Sequence, residues 1–229
     1  MRDLLALSLL AVVAVSSGLN EELELRQLLL SRPERMVRPV SAYNDSTNII
    51  VGLMTTDVEV DERRNTATVS GWLHIEWESP ALAWTDFPAA DDVSRTRLPL
   101  SEMWSPDLLP YNMVPSAGAE WLRVTPVVIW PGGRVLVVPM VTFTVRCSRT
   151  VTDDSDQLSC PIKIGSWTHS VEELDLQPTA DTVDVSNMAA NGAWKVASSS
   201  VVREAKMYDC CPEEYVSLNI ELVLRPQRC

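Results

Sequence analysis

The chain has 229 residues, 46% hydrophobic and 22% charged, which is the make-up of a folded globular protein and excludes a disordered or fibrous one. A formal net charge of −12 and an isoelectric point near 4.6 argue against nucleic acid and anionic membrane surfaces as partners, since both require a basic patch. Eight Trp and four Tyr stand against two Phe, a bias toward rings with a polar edge that suit places where an aromatic group meets water, a partner or a ligand.

In chain order, Met1-Arg2-Asp3, the apolar run Leu4–Val15 and the small residues Ser16-Ser17-Gly18 have the three-part pattern of a secretory signal, with cleavage expected after Gly18. The run is shorter than the roughly 20 apolar residues that span a bilayer, and no later segment has that length. A secreted, extracellular protein of residues 19–229 with no membrane span is expected. Asn20–Leu30 then reads as a short amphipathic helix, capped at Asn20, with Leu25, Leu28 and Leu29 on one side and Pro33 as the stop. Beyond it the chain reads almost wholly as strands: Asn48–Val60, Thr66–Trp77, Arg134–Ser148, Pro161–Trp167, Trp194–Ser200 and Tyr215–Leu224. Asp61–Asn65 and Pro131-Gly132-Gly133 are turn material. Many short strands after one helix predict a single antiparallel β-sandwich.

Secretion permits disulfides. The cysteines are Cys147, Cys160, Cys210, Cys211 and Cys229, an odd set that leaves one thiol free or joined to another molecule. Terminal Cys229 is the natural candidate for an intermolecular link, and the other four allow three pairings. Asn44-Asp45-Ser46 is a glycosylation sequon.

Side chains alternate between the two faces of a strand, so parity separates inside from outside. In Thr66–Trp77 the apolar parity is Ala67, Val69, Gly71, Leu73, Ile75 and Trp77, while the opposite face adds Trp72 to Thr68, Ser70, His74 and Glu76. In Arg134–Ser148, Val135, Val137, Val141, Phe143, Val145 and Cys147 point inward; Leu136, Val138 and Met140 point the other way. Tyr215 opposes the core set Val216, Leu218, Ile220, Leu222 and Leu224, and Trp167 opposes Ile162 and Ile164. Four strands thus carry large apolar groups on faces expected to be wet. Lone exposed apolar residues are ordinary, but four sets rich in Trp and Tyr read as a contact surface or binding site.

The segment Trp104-Ser-Pro106-Asp107-Leu-Leu-Pro-Tyr111-Asn112 resembles a signature of the Cys-loop ligand-gated receptor superfamily. Three further motifs agree in order. Cys147 and Cys160 enclose a polar loop of twelve residues, 148–159, the length found in the soluble, molluscan-type acetylcholine-binding proteins; Lys163-Ile-Gly-Ser166-Trp167-Thr-His follows; and Tyr208-Asp-Cys210-Cys211-Pro212-Glu-Glu-Tyr215 resembles the loop that closes over agonist. The resemblance implies an immunoglobulin-like β-sandwich with a short N-terminal helix, assembled as a homopentamer with ligand sites between neighbours, so that residues 19–229 form one neurotransmitter-binding domain. It implies a principal face of Tyr111, Trp167, Tyr208, Tyr215 and a Cys210–Cys211 disulfide, a complementary face of Trp72, Leu136 and Val138 with His74 beside them, support from Asp107 and Ser166, and a Cys147–Cys160 staple. Val138 and Val128 depart from side chains common among relatives at those positions, a change that bears on ligand ranking.

A quaternary ammonium offers no hydrogen-bond donor, so its recognition rests on dispersion, desolvation and the negative face of aromatic rings, about 2 kcal/mol or more for a well-placed desolvated ring. Trp167 is the expected main partner, with Trp72 as the wall opposite. The ligand so implied is acetylcholine or another cationic nicotinic compound, with no cofactor and no metal. Two histidines and no nucleophile-elbow or phosphate-cradling pattern weigh against an enzyme. The rival readings are the ectodomain of a nicotinic-type channel subunit, against which the polar loop and the Pro226-Gln-Arg-Cys229 end weigh, and a secreted assembly protein whose rings serve only subunit contacts.

Overall fold

A computed structural model describes residues 20–114, 125–151, 156–189 and 192–227. The expected signal segment and Cys229 lie outside the described residues. Helix α1 spans residues 20–31, burying Leu25 and Leu29 completely and Leu28 in part. Asn20 is already helical rather than the cap expected of it. Pro33, with no N–H to continue the ladder, opens a 3₁₀ turn, Pro33–Met36.

Among the described residues twelve strands follow: β1 (Thr47–Asp61), β2 (Thr66–Glu78), β3 (Thr96–Pro99), β4 (Leu108–Pro110), β5 (Pro126–Ile129), β6 (Arg134–Val137), β7 (Met140–Arg146), β8 (Ser148–Val151), β9 (Asp156–Ser166), β10 (Leu174–Pro178), β11 (Trp194–Met207) and β12 (Glu214–Pro226). They form two sheets. One runs β10-β1-β2-β6-β5-β3 with β7 also on β2; the other runs β11-β12-β9-β4 with β8 on β9. The expected β-sandwich is therefore present, and the core between its sheets is built from the parity sets. Ala67, Val69, Leu73 and Ile75 are fully buried on β2, as are Phe143 and Val145 on β7, Ile162 and Ile164 on β9, and Val216, Leu222 and Leu224 on β12.

Three local expectations need correction. The stretch Arg134–Ser148 is not one strand: Pro139, which cannot donate to a ladder, divides it into β6 and β7. The gap keeps the parity, because the Leu73 amide still donates to the Pro139 carbonyl at 3.0 Å and Val138 stays outside. Strand β9 begins five residues earlier than Pro161 and ends at Ser166, so Trp167 lies just beyond it. The sandwich is also not wholly antiparallel, since β10 pairs with β1 in parallel, Thr47 opposite Leu174.

Turn chemistry sets the register of two hairpins. Between β1 and β2, Asp61 Oδ1 accepts from the amides of Arg63 (3.0 Å) and Arg64 (3.2 Å), and Asn65 takes the left-handed conformation at φ 49°. Between β5 and β6, Gly133 sits at φ 84°, where a Cβ would clash with the Ser79 carbonyl oxygen. Cys147 and Cys160 form a disulfide from the end of β7 to β9. Among the described residues no helix is long and apolar enough to cross a membrane.

Parity makes a direct stability test. Leu73→Ala, at a fully buried position, is expected to cost about 2–5 kcal/mol in urea unfolding, whereas His74→Ala one residue along is expected to cost about 0.5 kcal/mol or less. Equal losses would mean that β2 does not present these faces.

Candidate functional site

Strand β4 and the start of the next turn lie against β9, with Leu108 opposite Ser166 and Pro110 opposite Ile164. The Tyr111 amide donates to the Lys163 carbonyl at 2.8 Å. Asn112 then satisfies the β9 backbone twice: its Nδ2 donates to the Pro161 carbonyl and its Oδ1 accepts from the Lys163 amide, both at 2.9 Å. This fixes the direction of Tyr111, whose hydroxyl donates to the Ser166 carbonyl. The ring lies so close to β9 that only glycine fits beneath it, for a Cβ on Gly165 would meet the Tyr111 hydroxyl and the Val216 carbonyl oxygen. Burial, and to a lesser degree the neighbouring Tyr208, Asp107 and Tyr215, push the Tyr111 phenol well up, so it stays a neutral donor.

Asp107 organises the bend after β9. Its Oδ1 accepts from Ser166 Oγ at 2.5 Å and from the His169 ring at 3.1 Å; its Oδ2 accepts from the amide and the hydroxyl of Thr168, both at 2.7 Å. Its own carbonyl accepts from the Trp167 amide at 3.3 Å. Burial alone pushes the Asp107 carboxyl up, but these donors together outweigh it and hold it below the ordinary aspartate range. The bend leaves Trp167 65% exposed, touching Tyr111 edge-on at 6.0 Å between ring centres.

Tyr208, at the end of β11, and Tyr215, at the start of β12, make a second edge-on pair at 6.2 Å. Between them the chain turns through the Cys210–Cys211 disulfide, with the Cys211 amide donating to the Tyr208 carbonyl at 3.0 Å. Residues Met207 to Pro212 line an open hollow at this tip. The Lys206 ammonium lies 5.5 Å from the centre of the Tyr208 ring, a cation already resting on one aromatic face. Nearby, Lys163 pairs with Glu204 at 2.9 Å, and Asn219 Nδ2 donates to the same carboxylate at 2.9 Å.

The remaining expected residues are on the other sheet. Trp72 (39% exposed) faces outward from β2 beside Met140 of β7, with Val138 exposed and Leu136 half-buried. His74 Nε2 sits 3.5 Å from Glu76, which also meets Arg134 at 3.7 Å, and Arg134 stacks 3.9 Å over Trp130. Val128 pairs with Leu136. One chain thus gathers Tyr111, Trp167, Tyr208, Tyr215 and the adjacent cysteines but keeps Trp72, Leu136, Val138 and His74 apart from them. Among the described residues no group of three or more His, Cys, Asp or Glu side chains converges as a metal site requires. Gly165, Thr168 and His169 were not singled out from sequence. Each matters through a partner distant in the chain, and spacing carries no such signal.

The sandwich displays aromatic rings on the outside of both sheets. Residues 22–228 match the neurotransmitter-gated ion-channel ligand-binding domain family, and the chain belongs to it; this is a family of receptor domains, not of enzymes. The chain is 30% identical over 217 residues to an acetylcholine receptor subunit, alpha-type acr-16, of Caenorhabditis briggsae, an alignment covering 94% of this chain and 43% of that protein. It is 32% identical over 197 residues to the human neuronal acetylcholine receptor subunit alpha-2, covering 83% and 36%. The chain therefore spans less than half the length of these curated relatives.

The Asp107 brace has a pH signature. A carboxyl whose folded value is depressed contributes stability that is complete above its unfolded value, about 3.9, and is lost as pH falls through the lower folded value. Asp107→Asn is therefore expected to lower stability at neutral pH and to flatten the acid limb of the stability curve below about pH 4. An unchanged acid limb would show that the carboxylate is not held as described.

Proposed function

We propose that the chain is a secreted acetylcholine-binding protein. It captures acetylcholine or another cationic nicotinic ligand in an aromatic cage shared by adjoining subunits of a homopentamer, and so buffers or carries cholinergic ligand outside the cell. The observation that carries this reading is two edge-on ring pairs on one sheet, Tyr111 with an exposed Trp167 and Tyr208 with Tyr215, while Trp72 faces outward from the other sheet. Trp167 would supply the main cation–π face and its carbonyl an acceptor for a protonated amine. The other three principal rings and the Cys210–Cys211 tip would close around the ligand, and Trp72, Leu136 and Val138 of the next subunit would form the wall, with His74 at its rim. The family membership and the acetylcholine receptor subunits among the relatives support the ligand class. The polar loop of residues 148–159, exposed along β8 although Leu158 is buried, supports a soluble role. The expected signal sequence and the Asn44 sequon, at an exposed loop, agree with export.

A second reading, the ectodomain of a nicotinic-type channel subunit, is favoured by one observation: these relatives are receptor subunits. It keeps the same site and differs in the fate of the chain. Recovery of the mature native protein from the medium rather than the membrane fraction separates the two.

Titration with acetylcholine or nicotine, followed by tryptophan fluorescence, is expected to saturate. Trp167→Ala is expected to weaken affinity about 30-fold or more, the equivalent of the ~2 kcal/mol assigned to such a ring. Trp72→Ala should weaken it as well. Pentamers assembled from a mixture of the two variants should regain sites wherever an intact Trp167 face meets an intact Trp72 face. Full binding by either variant alone, or no signal from folded wild-type pentamers, would refute the shared cage; the latter would leave the rings to assembly.

A further inference from the structure

We propose that His169 is a positioning residue for Trp167, acting through Asp107 and resting on the reading of Trp167 as the main ligand contact. Trp167 is 65% exposed and among the described residues meets one other ring, Tyr111, so its backbone is the main hold on its direction. That backbone is held at three consecutive amides: Trp167 N–H to the Asp107 carbonyl, Thr168 N–H to the Asp107 carboxylate, and His169 N–H to Ser166 Oγ at 2.9 Å. The carboxylate at the centre is in turn aimed by the His169 ring.

The proton on that ring can be assigned from its surroundings. Nδ1 faces three oxygens, Asp107 Oδ1 at 3.1 Å, Thr168 Oγ1 at 3.2 Å and Ser166 Oγ at 3.4 Å. Both hydroxyls give their protons to Asp107, leaving Nδ1 opposite lone pairs on every side. Nδ1 therefore carries the hydrogen and donates to Asp107, a charge-assisted bond of the stronger kind. The other side of the imidazole is held by packing. It lies edge-on to Trp104 at 6.3 Å, and Trp104 lies edge-on to the buried Trp77 at 6.1 Å. A chain of contacts thus runs from the sandwich core through His169 and Asp107 to the bend beneath the exposed indole.

Two substitutions separate donor from bulk. Asn places its Nδ2 near the position of Nδ1 and keeps a donor to Asp107, whereas Leu keeps volume without one. In the full-length protein, His169→Leu is expected to weaken acetylcholine binding about tenfold, and His169→Asn to recover most of that loss, at melting temperatures within a few degrees of wild type. A second readout does not use ligand. The difference in acrylamide quenching between each variant and the same variant carrying Trp167→Phe isolates the Trp167 signal, and that signal is expected to change in His169→Leu but not in His169→Asn. Folded His169→Leu with wild-type affinity and quenching would overturn the proposal, and so would equal loss in Leu and Asn. If wild type binds no acetylcholine yet the quenching pattern follows the donor, the ligand reading fails and the positioning role stands.

Discussion

One carboxylate governs the bend from which the exposed Trp167 stands out. Asp107 immediately precedes β4, and the bend it organises immediately follows β9, so its hydrogen bonds tie the two segments together beyond the point where their ladder stops. Burial works against a charge at this position, and a half-buried carboxylate with a single donor would gain little. With Ser166, Thr168 and His169 all donating, the charged form is favoured in spite of burial. The result is a backbone bend that is rigid where it carries Trp167, although the indole itself is mostly in solvent. Tyr111 completes the arrangement from the other side. Its hydroxyl takes the Ser166 carbonyl, and Asn112 fastens the same turn to β9, so both rings of the first pair are referred to one stretch of backbone.

The parts of this arrangement that were legible from sequence are those that depend on period alone. Alternation separated Trp72 from Leu73 and Tyr215 from Val216 correctly, because which side a residue takes does not require knowing which strand lies beside it. The break at Pro139 was legible in principle, since a proline cannot donate, but the unbroken parity on either side masked it. The parallel pairing of β10 with β1 was not legible, because pairing is decided by tertiary partners. The same holds within the site. The four principal rings and the adjacent cysteines were marked by motif, whereas His169 reaches Asp107 across 62 positions and Gly165 matters only because the Tyr111 ring lies on it. Each of these is a contact between segments that the linear chain does not relate.

The division of rings between sheets has a structural consequence. Tyr111, Trp167, Tyr208 and Tyr215 belong to the sheet of β4, β9, β11 and β12, and Trp72 to the sheet of β1, β2 and β7. A single sandwich has these surfaces on opposite sides of its own core, so no rearrangement short of unfolding brings them together within one chain. Setting one against the other takes a second chain, which in the proposed assembly is a neighbouring copy. A heterologous contact of this kind, with different surfaces meeting at each junction, closes into a ring if the rotation allows it, which is the geometry the proposed pentamer requires.

The electrostatics around the cluster also favour rings over acids as the source of attraction for a cation. The carboxylates packed nearest to it are already engaged: Asp107 by its donors, and Glu204 by Lys163 and Asn219. Across the sheets, Glu76 is likewise met by His74 and Arg134. Other acids near the cluster are open to water and salt, which screen them: Asp209 and Glu214 are exposed at the tip and beside Tyr215, and Glu172, Glu173 and Glu213 line an open hollow beyond it. A cation arriving under the pull of the −12 net charge would therefore meet long-range attraction outside and, close in, acids that are either engaged or screened by solvent. What remains to hold it at contact distance is the negative face of each ring, which, unlike a carboxylate, gives up little hydration when covered. Lys206 over Tyr208 is an instance of that preference already present in the fold.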